Sequence, residues 1–183
     1  MTRRDRESGI GEKKLIVDKK TYLTSDFHFG HENIIKFCNR PFKNRHQMDS
    51  AMIDNYNSIV ADDDIVFILG DFSMSNNREV ISSYCNKLKG QKHLILGNHD
   101  RMRPFAYVDC GFASVHTSYV LEKYNLFMVH DPAVCVVGKQ MGYNCVCGHI
   151  HNLFKFHNGV LNVGVDVSDF KPISIDKVME HYV

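Results

Sequence analysis

Five short blocks of ligand-capable residues punctuate the chain: Asp26-Phe27-His28, Gly70-Asp71, Gly97-Asn98-His99-Asp100, His130-Asp131 and Gly148-His149-Ile150-His151. Each follows an apolar run that reads as a strand. Carboxylate, amide and imidazole groups are the donors that hold divalent cations. Successive strand side chains alternate faces, so Asp26 with His28, and His149 with His151, are expected to point together. Gly70, Gly97 and Gly148 allow tight turns where an ion or a phosphate must approach. Together the blocks are too rich for one tetrahedral ion. They suit two divalent cations about 3.5–4 Å apart, bridged by a shared carboxylate. A single Asp or His after a strand is ordinarily a cap or turn residue. Five such ends in one small chain point instead to a common site.

The elements that must position these residues follow from periodicity. Strands are expected at Tyr22–Thr24, Ile65–Leu69, His93–Leu96, Leu126–Val129 and Asn144–Cys147, each leading into a block. Further strands are expected at Tyr119–Leu121, Leu153–Phe156, Val160–Val163 and Ile173–Ile175, with a hairpin signal at His157-Asn158-Gly159. Met48, Met52, Ile53 and Tyr56 predict a helix over roughly 46–61, and Val80, Ile81, Tyr84 and Leu88 one over roughly 78–89. A short helix is expected from Asn33 to Cys38 and another after Asp176. Strand and helix alternate in the first half, and strand follows strand in the second. That mixture predicts an α/β fold with layered sheets inside and helices outside. In open α/β sheets ligands gather beyond the carboxyl ends of the strands, where all five blocks fall.

Composition narrows the partners. The chain has 183 residues, which fits one domain, with Met1–Lys14 expected as a flexible N-terminal tail and residues 15–183 as the folded unit. Lys plus Arg total 22 against 21 Asp plus Glu, so the chain lacks the basic footprint that grips duplex nucleic acid or an anionic membrane. No run approaches the roughly 20 apolar residues of a membrane span, and no apolar run follows the basic start as in a signal peptide. A cytoplasmic location is expected. The six cysteines then read as free thiols, and Cys145-Val146-Cys147 has the wrong spacing for a redox or zinc CxxC pair.

The ordered set D-x-H, G-D, G-N-H-D, H and G-H-x-H, from about Tyr22 to His151, resembles the calcineurin-like metallophosphoesterases. The strings Ser25-Asp26-Phe27-His28-Phe29-Gly30-His31 and Asn162-Val163-Gly164-Val165-Asp166-Val167 look like a small bacterial and phage subgroup. The resemblance implies a two-sheet β-sandwich flanked by helices. It also implies one metal held by Asp26, His28, Asp71 and His151, and a second held by Asp71, Asn98, His130 and His149. His99 falls at the acid or phosphate-contacting position, with Asp100 placed to orient it. His31 could reach substrate or cap the following helix. Arg40 and Arg101 are candidate phosphate contacts, and Asp166 a support for a ligand histidine. Two departures stand out. The fourth block reads Met128-Val129-His130-Asp131-Pro132, without the usual Gly or Ser before His, and the second continues Phe72-Ser73-Met74. That continuation lacks the Asp-Arg-Gly of the phosphoprotein phosphatase branch and argues against it.

The implied activity is hydrolysis of a phosphodiester or phosphomonoester by hydroxide held on two divalent ions attacking phosphorus. Imidazole and carboxylate donors suit Mn, Fe, Zn, Co or Ni, with Mn or Fe favoured. The implied partner is a small phosphate ester, with a nucleotide among the candidates. A nuclease or a 2′,3′-cyclic nucleotide phosphodiesterase is the related alternative. A non-catalytic protein-binding scaffold on the same fold is the alternative of another class.

Overall fold

The computed structural model describes residues 20–182. The expected tail over 1–14 lies outside the described residues. In chain order the strands are β1 (Thr21–Thr24), β2 (Ile65–Ile68), β3 (Gln91–Ile95), β4 (Ser114–His116), β5 (Ser118–Leu121), β6 (Leu126–Val129), β7 (Asn144–Cys147), β8 (Phe156–His157), β9 (Val160–Asn162) and β10 (Ile173–Ser174). The helices are α1 (Ile34–Phe37), α2 (Arg45–Asn57), α3 (Arg78–Cys85), α4 (Pro104–Asp109), α5 (Cys135–Gln140) and α6 (Ile175–Met179).

The strands form two five-stranded sheets, ordered β10-β1-β2-β3-β4 and β5-β6-β7-β9-β8. In the first, β1 to β4 are parallel and β10 is antiparallel to β1. In the second, β6, β7 and β9 are parallel and the outer strands antiparallel. Strand alternation sorts side chains into three apolar layers. Leu23, Phe67, Leu69 and Ile95 meet Leu126, Met128, Val146 and Leu161 between the sheets. The alternate residues Tyr22, Val66, Ile68 and Leu94 turn to the helices, where Met48, Met52 and Tyr56 line one face of α2. Phe127, Val129, Cys145 and Cys147 face outward under α5. Cys145 and Cys147 thus share a face as small buried apolar groups, away from the ligand-capable blocks. This is the expected α/β architecture of two sheets flanked by helices.

Local differences have physical causes. Helix α2 stops at Asn57, short of the expected 61, and α3 stops at Cys85. Sequence periodicity did not signal α4, β4 or α5. Helix α5 carries Val136, Val137 and Gly138, a poor set of helix formers. Gly138 is there for packing: a Cβ at that position would lie 2.5 Å from the Phe127 ring, so only glycine lets α5 sit down on β6. The expected strand at Leu153–Phe156 shrinks to β8, which closes on β9 through Asn158 and Gly159, both with positive φ (48° and 71°). No helix among the described residues is long and apolar enough to cross a membrane.

Candidate metal centre

All five blocks converge beyond the carboxyl ends of β1, β2, β3, β6 and β7. What aligns their side chains differs from the expected strand alternation. The backbone has already left the extended conformation at Asp26 (φ 60°), His28 (52°), Asp71 (52°), His149 (74°) and His151 (49°). Left-handed conformations at residues other than glycine cost about 1–3 kcal/mol each and persist only where surroundings enforce them. Here the β1 and β2 loops run side by side. Asp26 N–H donates to Gly70 O at 3.0 Å, His28 N–H to Asp71 O at 2.9 Å and Phe29 N–H to Phe72 O at 3.1 Å.

The donors then gather closely. Asp71 Oδ2 lies 3.4 Å from His28 Nε2 and 3.5 Å from His130 Nε2. Asn98 Oδ1 lies 3.1 Å from His130 Nε2 and 3.0 Å from His149 Nδ1. Four groups among the described residues have ligand atoms within 4.8 Å of one another, and three of them are built from the blocks alone: Asp26, His28 and His151; His28, Asp71 and His99; and Asp71, His130 and His149. Asp71 and His28 each belong to two of them. The cluster therefore has two lobes joined at Asp71, as a bridging carboxylate requires.

The electrostatics favour added positive charge. Burial would raise the Asp71 carboxyl, but the His130 hydrogen bond and charge hold it down at about 2. Burial would likewise lower His130, but Asp71, Asp26 and the Leu69 carbonyl push it up to about 9. His130 Nδ1–H donates to Leu69 O at 2.6 Å, which directs Nε2 at Asp71 and Asn98. Burial dominates at His28 and lowers it to about 3, so its ring is neutral. Both of its nitrogens are buried without a hydrogen-bond partner among the described residues. An unpaired buried imidazole is costly unless it coordinates a cation. The donor set and this ring fit a divalent transition metal.

Supporting residues hold the donors. His151 Nδ1–H donates to Asp166 Oδ2 at 2.9 Å, which fixes the ring and frees Nε2. Asp166 is the expected supporting carboxylate. Arg40, expected as a phosphate contact, is instead buried. Its Nε and Nη2 clasp Asp166 at 2.8 and 2.9 Å, and Nη2 and Nη1 donate to the carbonyls of Asp26 (2.8 Å) and Phe27 (3.0 Å). Met48 Sδ takes the remaining Nη1 donor at 3.5 Å. Every guanidinium N–H is engaged, so none is left for substrate.

Asp100, expected to orient His99, takes another role. Its carboxylate accepts backbone N–H bonds from Asp71 (2.8 Å), Phe72 (3.2 Å) and Gly97 (2.9 Å), which staples the β2 and β3 loops together. His99 itself is held through its backbone N–H on Asp71 Oδ1 at 2.9 Å, with its ring 5.2 Å from that of His28. His31 does not cap α1, whose N-cap is Asn33 without a side-chain bond. Its ring lies 5.6 Å from that of His28, and its buried Nδ1 has no partner among the described residues. Arg101 is exposed on the β3 loop, with Nε 3.4 Å from Asn98 O.

Gly148 and Gly97 are among the glycines that sterics force at the centre. A Cβ on Gly148 would collide with Ser25 Oγ and come within 2.6 Å of Asp26 Oδ2, and one on Gly97 would collide with Asp71 Oδ1. Sequence reasoning missed Cys38, whose Sγ groups with His151 and Asp166. Its segment carries no ligand spacing; only the fold brings it there.

Comparison with known proteins agrees with this geometry. The family model described as calcineurin-like phosphoesterase matches residues 19–181. An uncharacterized protein of Methanocaldococcus jannaschii is 34% identical over 170 residues, covering 88% of this chain and 90% of that protein. The gene 66 protein of Mycobacterium phage L5 is 35% identical over 86 residues, covering 46% of this chain and 41% of that protein. The crystal structure of a protein of unknown function from Aquifex aeolicus superposes with a TM-score of 0.73 at 23% identity, covering 88% of this chain and 98% of that one. That likeness is one of fold.

Proposed function

The chain belongs to the calcineurin-like phosphoesterase family, and from that premise we propose that it is a dimetal-dependent hydrolase of small phosphate esters, diester or monoester. The observation that carries the reading is the Asp71 carboxylate oxygen, set almost equally between His28 and His130 at the junction of two donor lobes. One ion would be held by Asp26, His28, Asp71 and His151, the other by Asp71, Asn98, His130 and His149. Every donor is imidazole, amide or carboxylate, a set that suits Mn, Fe, Zn, Co or Ni, and Mn or Fe is the pair we favour. When bound, such a pair supplies Lewis acidity toward phosphoryl oxygens and a nucleophile at neutral pH.

The chain's own residues divide the remaining work. His99 stands beside His28, where its ring can stabilise a phosphoryl oxygen or give a proton to the departing alkoxide. His31 and Arg101 can contact the substrate. Arg40, Asp166 and Asp100 keep the loops in register. The partial match to a mycobacteriophage protein supports the small bacterial and phage subgroup. Six buried free thiols suit a reducing cytoplasm.

Metal analysis with a substrate panel tests the reading. About two equivalents of metal per chain are expected, with Mn²⁺-dependent turnover of p-nitrophenyl phosphate, bis-p-nitrophenyl phosphate or a 2′,3′-cyclic nucleotide. Absence of turnover across such a panel with metal bound overturns it, and absence of metal binding favours a scaffold.

A further inference from the structure

Asn162 ends β9 as a polar side chain beside the buried Val160, Leu161 and Val163, with 0% of its surface exposed. It stands opposite Cys147 of the parallel strand β7, the last residue before the Gly148-His149-Ile150-His151 block. A primary amide buried this deeply needs partners for its donors and its acceptor. They come from the main chain on both sides of the strand. Nδ2 donates to the His151 carbonyl at 2.7 Å and to the Phe154 carbonyl at 3.0 Å, and Oδ1 accepts the Gly164 N–H at 2.8 Å. None of the roles above uses these contacts. We infer that Asn162 is a positioning residue, which sets the His151 ring for the ion shared with Asp26, His28 and Asp71 and leaves the neighbouring ion alone. The inference rests on the dimetal reading and specifies how one half of that centre is held.

His151 needs such a brace. Its φ of 49° lies in the left-handed region, which a residue with a side chain keeps only under restraint. Asp166 grips the ring through Nδ1 at 2.9 Å. That grip fixes the ring against the turn after β9, not against the backbone of its own block. Asn162 joins the two supports. Its Nδ2 end holds the main chain of the block at His151, and its Oδ1 end holds Gly164, from which the Val165–Val167 turn carrying Asp166 starts. One amide thus sets the distance between the His151 backbone and the carboxylate that aims its ring.

The other lobe is braced by contacts that do not include Asn162. His130 is oriented by the Leu69 carbonyl, and its Nε2 meets Asn98 Oδ1. His149 is fixed through its own N–H on Asp26 Oδ2 at 3.0 Å, and its ring meets Asn98 Oδ1. Loss of the Asn162 amide therefore frees His151 to turn while Asn98, His130 and His149 keep their supports. Removing the support of a ligand histidine typically weakens metal binding about 10–100-fold.

The experiment strips the full chain with chelator and titrates it with Mn²⁺ by calorimetry, with frozen-solution electron paramagnetic resonance as a second readout. The parent should bind about two equivalents. In Asn162→Ala one equivalent should weaken about 10–100-fold, and the signal of a coupled Mn pair should give way to that of a single ion at metal levels that fill both positions in the parent. Two backgrounds assign the loss. In His149→Ala, which disables the neighbouring position, Asn162→Ala should weaken the remaining ion by the same factor. In His151→Ala, it should leave the remaining ion within ~2-fold, because the ring that Asn162 positions is already gone. A merely structural role would weaken both ions in every background. If Asn162→Ala loses its cooperative urea transition, Asn162→Ser is the variant read. Unchanged binding on replacing Asn162, or an equal loss in the His151→Ala background, overturns the inference while the dimetal reading stands. A parent chain that binds no metal overturns both.

Discussion

Arg40 joins two parts of the chain that are 126 residues apart in sequence, and its removal gives a measurable test of how the centre is held. The side chain of Arg40 and that of Asp166 are almost fully buried, at 0% and 2% exposure. Breaking a buried ion pair by deleting one partner typically costs about 3–5 kcal/mol, because the other charge is left without compensation. Asp166 would keep the His151 N–H as a donor, which moves the expectation for Arg40→Ala to the lower end, about 3 kcal/mol. For a domain of this size that corresponds to a fall of about 6–12 °C in melting temperature. Urea unfolding of chelator-treated protein measures it directly, with an unchanged m-value as the control for two-state behaviour. Arg40→Lys should recover only part of the loss, since a single ammonium cannot span Asp166 and both carbonyls. The double variant Arg40→Ala/Asp166→Asn should lose less than the sum of the single variants, because a buried neutral amide is cheaper than an orphaned carboxylate. Metal affinity should fall about 10–100-fold in Arg40→Ala, through the Asp166–His151 contact. A stability loss under about 1 kcal/mol would refute the reasoning, since it would mean the clasp is solvated in solution.

Asp71→Asn should remove the shared carboxylate and lower bound metal at both positions, with turnover down at least ~100-fold by metal analysis and steady-state assay. Gly148→Ala should destabilise by about 1–3 kcal/mol in urea, because the new methyl overlaps Ser25 and crowds Asp26. Asp100→Ala should leave three backbone N–H groups of the β2 and β3 loops without their acceptor, at about 1–3 kcal/mol for each that stays dry. Burial raises the Asp49 carboxyl despite hydrogen bonds from Tyr84 and Gly30. The native state therefore holds that proton more tightly than the unfolded chain. Its contribution to stability is present below the unfolded pKa and is lost as pH rises through the higher native value. Asp49→Asn should flatten that decline in a pH series of urea melts.

The candidate donors and their order along the chain were legible because each follows a strand whose apolar run is local in sequence. Asp26, His28, Asp71, Asn98, His130, His149 and His151 all arrive at one place, and the five strands that carry them were foreseen. The layer pattern was legible for the same reason: Leu23 and Tyr22, or Phe67 and Val66, alternate as a pleated strand demands. Short helices were not. In α5, packing of Gly138 against Phe127 overrides weak helix propensity, and no local pattern reports such a contact.

The amino-acid sequence by itself determined which groups could bind metal and that they sit at the carboxyl ends of strands, since both depend on residue type and short-range periodicity. The fold decided what each charged neighbour does. Arg40 and Asp100 look like substrate and catalytic groups beside their motifs. Burial gives them other partners: Arg40 takes Asp166 and two carbonyls, and Asp100 takes three backbone amides. The fold also bent Asp26, His28 and Asp71 into left-handed turns, where loop-to-loop hydrogen bonds, and not strand alternation, turn their side chains to one centre. Desolvation and long-range hydrogen bonding set these outcomes, and both are created only when distant segments pack.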